Sequence, residues 1–251
     1  MKVARFLANG EVLYGVIEQD EVRELRGSIF ASPQRGSRSF PLADVKLLVP
    51  CEPTKIIGIG LNYAGHIREL GRAMPELPHF GFLKPHTALI ADGEPIVLPG
   101  WAGNVRHEGE LAIVIGKKAK RISPEAAREC MFGFTCANDV TAGDLAAVSV
   151  TRAKGFDTFC PLGPVIETDL EPDGLVIETR VNGVLRQHGN TRDMVFGARA
   201  IVSHLSHVMT LLPGDVILTG TPEGVGPLAA GDIVEVTIEG IGTLRNPVAA
   251  A

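Results

Sequence analysis

Aromatic residues are scarce, at 5% of 251 positions, and lysine and arginine never form a long run. Nucleic-acid binding draws on a basic face or on stacking aromatics, so it is not expected here. The formal net charge of -5 points the same way. No apolar run approaches the roughly 18 residues that span a bilayer, which argues against a membrane-spanning helix. Met1 to Gly10 carries Lys2, Arg5 and Asn9 without a long apolar core, so a signal peptide is not expected there. Cysteine is limited to Cys51, Cys130, Cys136 and Cys160, and no pair has Cys-x-x-Cys spacing. Reduced thiols of a cytoplasmic protein are the expectation, and none is marked as a nucleophile. No internal repeat and no low-complexity segment occurs, which excludes a solenoid.

What is present suits a packed globular chain. Hydrophobic residues make up 45% and charged residues 21%. The length allows one large domain, or one large and one small. With 29 glycines and 17 prolines, many turns and short strands are expected. Val3–Leu7 and Val12–Ile17 flank Asn9-Gly10, a strong hairpin signal. Val22–Leu25 adds a third strand, and Ser32–Ser39 reads as a polar loop or linker. A boundary near residue 50 separates a small N-terminal β-rich domain, 1–50, from the main domain, 51–251.

The stretch from Arg106 to Ile115 carries the main chemical signal. It ends as a buried apolar strand and begins with Glu108-Gly109-Glu110. Side chains alternate faces along a strand, so Glu108 and Glu110 share one. Two like charges held together near a core need compensation, and a divalent cation supplies it. Gly109 leaves room for a close neighbour. The next strand-like run, Phe132 to Val140, turns polar at Asn138-Asp139 and offers Asp139 as a third oxygen ligand. Three carboxylates without a Cys/His cluster favour Mg²⁺ or Mn²⁺, less so Ca²⁺, over zinc. The spacing alone also fits a solvated strand end followed by a turn.

Other segments add candidates. Lys55–Gly60 is a strand entering Leu61–Leu70, where a helical turn would set His66 and Glu69 on one face. A histidine oriented by a carboxylate is a ready general base, although a surface pair fits the same spacing. Gly71–His79 is short and polar and could form a flap. Phe80–Pro85 ends a strand on Lys84. Ser123-Pro124 opens a short helix. Arg152 and Lys154 could bring positive charge to the acids if their loop folds back. The periodicity of Ile201, Leu205, Val208, Met209 and Leu212 predicts a helix over Asp193–Leu212, stopped by Pro213-Gly214. His204 and His207 on it read as structural. Thr219-Gly220-Thr221-Pro222-Glu223-Gly224-Val225-Gly226 exposes backbone N–H groups and hydroxyls that can hold an anion, and lacks a P-loop lysine.

Taken in order, these motifs resemble the fumarylacetoacetate hydrolase superfamily over roughly residues 50 to 248. They are Gly60-Leu61-Asn62-Tyr63-Ala64-x-His66, Phe82-Leu83-Lys84-Pro85 and His107-Glu108-Gly109-Glu110-Leu111. Asn138-Asp139-Val140-Thr141, Arg152-Ala153-Lys154-Gly155-Phe156-Asp157 and the threonine-glycine turn complete the series. The closing Ile241–Pro247 resembles the branch of 2-hydroxyhepta-2,4-diene-1,7-dioate and 5-carboxymethyl-2-hydroxymuconate isomerases.

The resemblance implies a mostly β, α+β fold, a mixed β-sandwich roll behind a small N-terminal β domain, in a homodimer. It implies Mg²⁺ or Mn²⁺ held by Glu108, Glu110 and Asp139, with His66 and Glu69 as a water-activating dyad. Lys154 would stabilise developing charge. Lys84, Arg152, Gly220 and Thr221 would bind substrate. The implied substrates are small 2-oxo acids or diacids, converted through an enolate-like state. Isomerisation in aromatic catabolism is the leading expectation. Acylpyruvate-type C–C hydrolysis and oxaloacetate decarboxylation are the alternatives. A non-catalytic β-rich module with a structural Ca²⁺ is a further alternative of another class. One departure stands out. Family members often read Thr-Ala-Arg-Asp after the metal aspartate, and here Thr141-Ala142-Gly143-Asp144 lacks that anion clamp. Arg152 or Arg106 would then replace it, or the substrate is smaller or less charged.

Overall fold

The computed structural model describes residues 1–251, apart from the side chain of Phe80. Its N-terminal part is an antiparallel meander of Lys2–Ala8, Glu11–Glu18, Glu21–Arg26 and Gln34–Pro41. Asn9 and Gly10 both adopt positive φ, 51° and 80°, as a two-residue hairpin of this twist requires. The segment expected as a loop at Ser32–Ser39 is instead an edge strand from Gln34. Its polarity reflects its position, since an edge strand faces water. Arg38 anchors it by donating to both oxygens of Glu24, at 3.1 and 2.9 Å.

The meander continues into the long sheet of the chain. Lys2–Ala8 pairs with Cys160–Glu167, followed in order by Met131–Asn138, Gly109–Ile115, Val216–Leu218, Ile56–Gly60 and His79–Lys84. A second sheet holds Val184–Asn190, Val176–Val181, Ile233–Ile238, Gly242–Ala250 and Ile96–Leu98. Its Asn182-Gly183 turn again has positive φ at both residues.

Gly109–Ile115 lies inside the long sheet and is buried along its whole length. Leu111, Ile113 and Ile115 face the second sheet and the helix Ala198–Val208, packing on Ile177, Val236 and Leu205. Ala112 and Val114 point the other way, into a second core with Ile56, Val216 and Leu162. That alternation puts Glu108 and Glu110 on the side of Ala112 and Val114.

The predicted helix is shorter than its periodicity suggests, running Ala198–Val208. Asn62 captures the residues before it. Its carbonyl accepts from Val195 N at 2.7 Å, and its Oδ1 accepts from Phe196 N at 2.9 Å. Beyond the helix, Leu211 pairs with Ala119 in an isolated bridge, so the chain is extended there. Among the described residues no helix is long and apolar enough to cross a membrane.

Candidate active site

The site forms where the chain leaves the long sheet. Val105–His107 belongs to a small sheet with Thr141–Ala142 and Gly226–Pro227. Glu108 occupies the break between that strand and Gly109–Ile115. Asp139 occupies the matching break after Met131–Asn138, and its N–H donates to Glu108 O at 2.8 Å. Strand ends that change sheets release side chains from both ladders into the gap between them.

Glu108, Glu110 and Asp139 meet in that gap, each with one oxygen within 4.8 Å of the others. Glu110 and Asp139 are buried and Glu108 is half-buried. Their neighbours fix each carboxylate. Gly220 N–H donates to Glu110 Oε2 at 2.7 Å. Thr141 Oγ1 donates to Glu108 Oε1 at 2.7 Å. Asn138 Oδ1 accepts from Glu108 N at 2.9 Å. Gly109 has to be glycine, because a Cβ there would lie 2.1 Å from Thr179 Oγ1.

Two lysines complete the cluster. Lys154 Nζ lies 2.8 Å from Glu108 Oε2 and 2.5 Å from Asp139 Oδ2. Lys84 Nζ lies 2.5 Å from Asp139 Oδ1, and its side chain is fully buried. Burial opposes ionisation of Asp139, but Lys154 and Lys84 outweigh it and hold the carboxyl below its usual range. Burial, reinforced by the charge of Asp139, pushes Glu110 well above the usual carboxylate range. Burial also opposes the charged form of Lys154, yet the surrounding carboxylates raise its pKa. The cluster therefore carries one carboxylate more than the lysines neutralise, and Glu110 is the acid left without a cation. All donors are hard oxygens at close range, so the residues fit a divalent cation such as Mg²⁺ or Mn²⁺.

A cavity of about 410 Å³ opens onto this cluster. Lys154, Gly220 and Thr221 line it beside the three acids. His66 lines the same cavity from the helix Ala64–Glu69, with Nδ1 3.0 Å from Glu69 Oε2. Glu69 is held in turn by Gly224 N–H at 3.4 Å. Asn62 ties the two loops together by donating to Phe196 O at 3.0 Å and Thr219 O at 2.8 Å. Leu61, on the wall, takes a φ of 53°, a left-handed value uncommon for a branched side chain.

Not every expected residue reaches the cavity. Arg152 lies outside it, its guanidinium 5.5 Å from the centre of the Trp101 ring. Lys84 sits behind Asp139 and donates to its Oδ1. Arg106 lies against Gly143, where a Cβ would come within 2.8 Å of its Nε, and it does not line the cavity. The thiols of Cys51, Cys136 and Cys160 are buried and pushed up to about 12, which leaves no nucleophile among them.

Sequence reasoning gave no role to Arg72 and His79, which line the cavity from within the segment read as a flap. Arg72 has no acidic partner among the described residues. Thr141 and Asn138, which orient Glu108, stood in a recognised motif without a role. Gln187 was also missed. Its strand is exposed at Val184, Leu185 and Arg186, so nothing in the pattern marks Gln187 as buried.

Comparison with known proteins agrees with this architecture. Residues 55–249 match the family model described as fumarylacetoacetate (FAA) hydrolase, C-terminal, and residues 1–50 match one described as Rv2993c-like, N-terminal. The crystal structure of 2-hydroxyhepta-2,4-diene-1,7-dioate isomerase from Mycobacterium marinum is 45% identical with a TM-score of 0.93, over 100% of this chain and 98% of that one. Maleylpyruvate hydrolase from Sphingobium sp. SYK-6, solved with manganese(II) and pyruvate, is 32% identical with a TM-score of 0.83, over 100% of both chains. A mitochondrial oxaloacetate tautomerase of Arabidopsis thaliana is 41% identical over 200 residues, 76% of this chain and 89% of that one. With a family model covering residues 55–249 and these relatives aligned along the chain, it belongs to the fumarylacetoacetate hydrolase family.

Proposed function

We propose that this chain is a Mg²⁺- or Mn²⁺-dependent enzyme acting on small 2-oxo acids through an enolate-like state. Keto–enol or double-bond isomerisation of a 2-oxo diacid, of the 2-hydroxyhepta-2,4-diene-1,7-dioate type, is the leading reaction. The observation that carries the reading is the shared cavity. It brings three hard-ion ligands, a buried lysine and a carboxylate-oriented histidine around one space of about 410 Å³. The isomerase and tautomerase relatives support this reaction class.

Glu108, Glu110 and Asp139 would hold the ion, which supplies Lewis-acid stabilisation of charge on the substrate oxygen. Lys154 adds a fixed positive charge beside that position. His66, held at Nδ1 by Glu69, keeps Nε2 free to take and return a proton. Leu61, Leu70 and Phe82 give the cavity an apolar wall that excludes water from a reactive intermediate. Arg72, on the same cavity and with no acidic partner among the described residues, would receive a second carboxylate of the substrate.

A second reading, C–C bond hydrolysis of an acylpyruvate, is favoured by one observation. The His66–Glu69 pair is built as a water-activating base, and a maleylpyruvate hydrolase is among the relatives with this fold.

The test is a substrate panel with Mg²⁺ or Mn²⁺, with and without a chelator. It contains a 2-hydroxydiene dioate, oxaloacetate and an acylpyruvate, followed by ultraviolet absorbance. Conversion of the dioate that stops on chelation is expected. Hydrolysis of the acylpyruvate alone would favour the second reading. No metal-dependent conversion of any of them, by protein that binds Mn²⁺, would overturn both.

A further inference from the structure

Gln187 lies on Val184–Asn190, a strand of the second sheet outside the site, yet it is only 1% exposed. Its side chain reaches across to the loop and the strand that build the site. Oε1 accepts from Gly109 N–H at 3.0 Å, and His107 Nδ1 lies 3.2 Å from the same oxygen. Nε2 donates to Thr221 Oγ1 at 2.7 Å and to Pro222 O at 2.8 Å. The amide orientation is fixed by these partners. Turned over, it would set a donor against Gly109 N–H and an acceptor against Pro222 O.

Thr221 closes the circuit. Its hydroxyl donates to Gly109 O at 2.8 Å. Gln187, Gly109 and Thr221 thus form a ring of three hydrogen bonds, in which Gly109 is held at both its N–H and its carbonyl. Gly109 is the residue between Glu108 and Glu110. A hydroxyl has one proton and two lone pairs. Here the proton goes to Gly109 O, and Gln187 Nε2 takes a lone pair. The Thr221 hydroxyl has no proton left for a substrate carboxylate, although Thr221 lines the cavity.

We infer that Gln187 is a positioning residue for the ion-binding strand, and that the Thr221 hydroxyl acts through Gly109 rather than on the substrate. The inference rests on Glu108 and Glu110 as ion ligands. It gives Gln187 the role of an outer-shell partner, which fixes the angle between the two ligands from behind. It also places a proton on His107 Nδ1, because Gln187 Oε1 can only accept.

The test is a Mn²⁺ titration of the full-length protein without substrate, on Gln187→Leu, Thr221→Val and the double variant. Each single change is expected to weaken Mn²⁺ binding about tenfold or more, in the range for outer-shell partners. The double variant is expected to lose no more than the weaker single variant, because both changes open the same ring. Thr221→Ser restores the hydroxyl and should restore affinity. In turnover, Thr221→Val is expected to leave the KM of the substrate unchanged while kcat falls.

If Gln187→Leu does not fold, Gln187→Glu keeps the shape and sets an oxygen against Pro222 O, and should weaken Mn²⁺ binding as strongly. Unchanged Mn²⁺ affinity in both single variants would overturn the inference, as would losses that multiply in the double variant. Wild-type protein that binds Mn²⁺ but converts no 2-oxo acid would overturn the proposed reaction and leave this ring to stand or fall on the titration. Wild-type protein that binds no Mn²⁺ would overturn the ligand assignment and this inference together.

Discussion

Lys154 Nζ lies 2.5 Å from Asp139 Oδ2, a carboxylate of the candidate ion site. The same ammonium reaches Glu108 Oε2 at 2.8 Å. Lys154 therefore both neutralises the acidic cluster and competes for it. Exchanging it for methionine keeps the bulk and removes the charge. Mn²⁺ affinity of Lys154→Met is expected to hold or rise, because three carboxylates then repel one another with less compensation. Turnover is expected to fall by at least about 100-fold, the usual effect of losing one preorganised donor. Calorimetric titration and kcat check the two halves separately. Weaker Mn²⁺ binding would show that Lys154 supports the ion rather than competing with it.

His66 divides the candidate reactions. Isomerisation and hydrolysis both need a group that moves a proton, and His66 is the histidine on the cavity with a carboxylate to orient it. Ion-assisted decarboxylation releases CO₂ without such a base. In His66→Ala, the first two reactions are expected to fall by about 100-fold or more, while decarboxylation of oxaloacetate persists. Parallel assays on one preparation with an unchanged far-ultraviolet spectrum decide the matter. Equal loss of every reaction would remove His66 from the role of base.

Much of this site could be read from the chain because its signals are local. The face shared by Glu108 and Glu110 follows from the two-residue period of a strand, and Asn9-Gly10 and Asn182-Gly183 state their turns outright. Lys154 and Arg152 were harder to separate. On the helix Val150–Lys154 residues two apart point in different directions, so Lys154 turns inward and Arg152 outward onto Trp101. Nothing local fixes which of the two faces the acids. The edge strand Gln34–Pro41 was hidden by its polarity. The shortened helix was hidden because Asn62, more than 130 positions away, competes for the backbone of Phe196. Arg72 and His79 are exposed positions within the segment read as a flap, where no periodicity marks them, and Gln187 reaches the ion-binding strand through long-range packing, which leaves no mark on nearby residues.

Arg72 bears on substrate choice. Lys84 and Lys154 are committed to Asp139, and the positions of Ala146 and Val150 on the cavity wall are apolar. Gly143 contributes no side chain. Arg72 is left as the cation on this cavity without an acidic partner among the described residues. Arg72→Gln is expected to raise KM about tenfold for a 2-oxo diacid, the scale of one lost charged hydrogen bond. The same variant should leave KM unchanged for the matching mono-acid, whose far end carries no charge. Steady-state kinetics on the two substrates make the comparison. An equal change for both, or none for either, would mean that the second carboxylate lies elsewhere.

His107 ties the stability of this region to pH. Its side chain is fully buried, Gln187 accepts from its Nδ1, and its Nε2 has no hydrogen-bond partner among the described residues. Burial, with a smaller contribution from the charge of Arg186, pushes its pKa down to about 4. In the unfolded chain the value returns to about 6.5. The unfolded state therefore binds a proton that the folded state refuses, so stability from this residue is complete above about pH 6.5 and declines as pH falls toward 4. At about 1.4 kcal/mol per unit, the loss between about pH 7.5 and pH 5 comes to about 2 kcal/mol. Urea unfolding in a chelator at these two pH values measures it. His107→Asn keeps an N–H for Gln187 and cannot take up a proton, so its stability should fall less than that of the wild type by about this amount. All other groups are common to both proteins and cancel in the comparison. Equal pH slopes would mean that the folded protein leaves the His107 pKa where it stands in the unfolded chain.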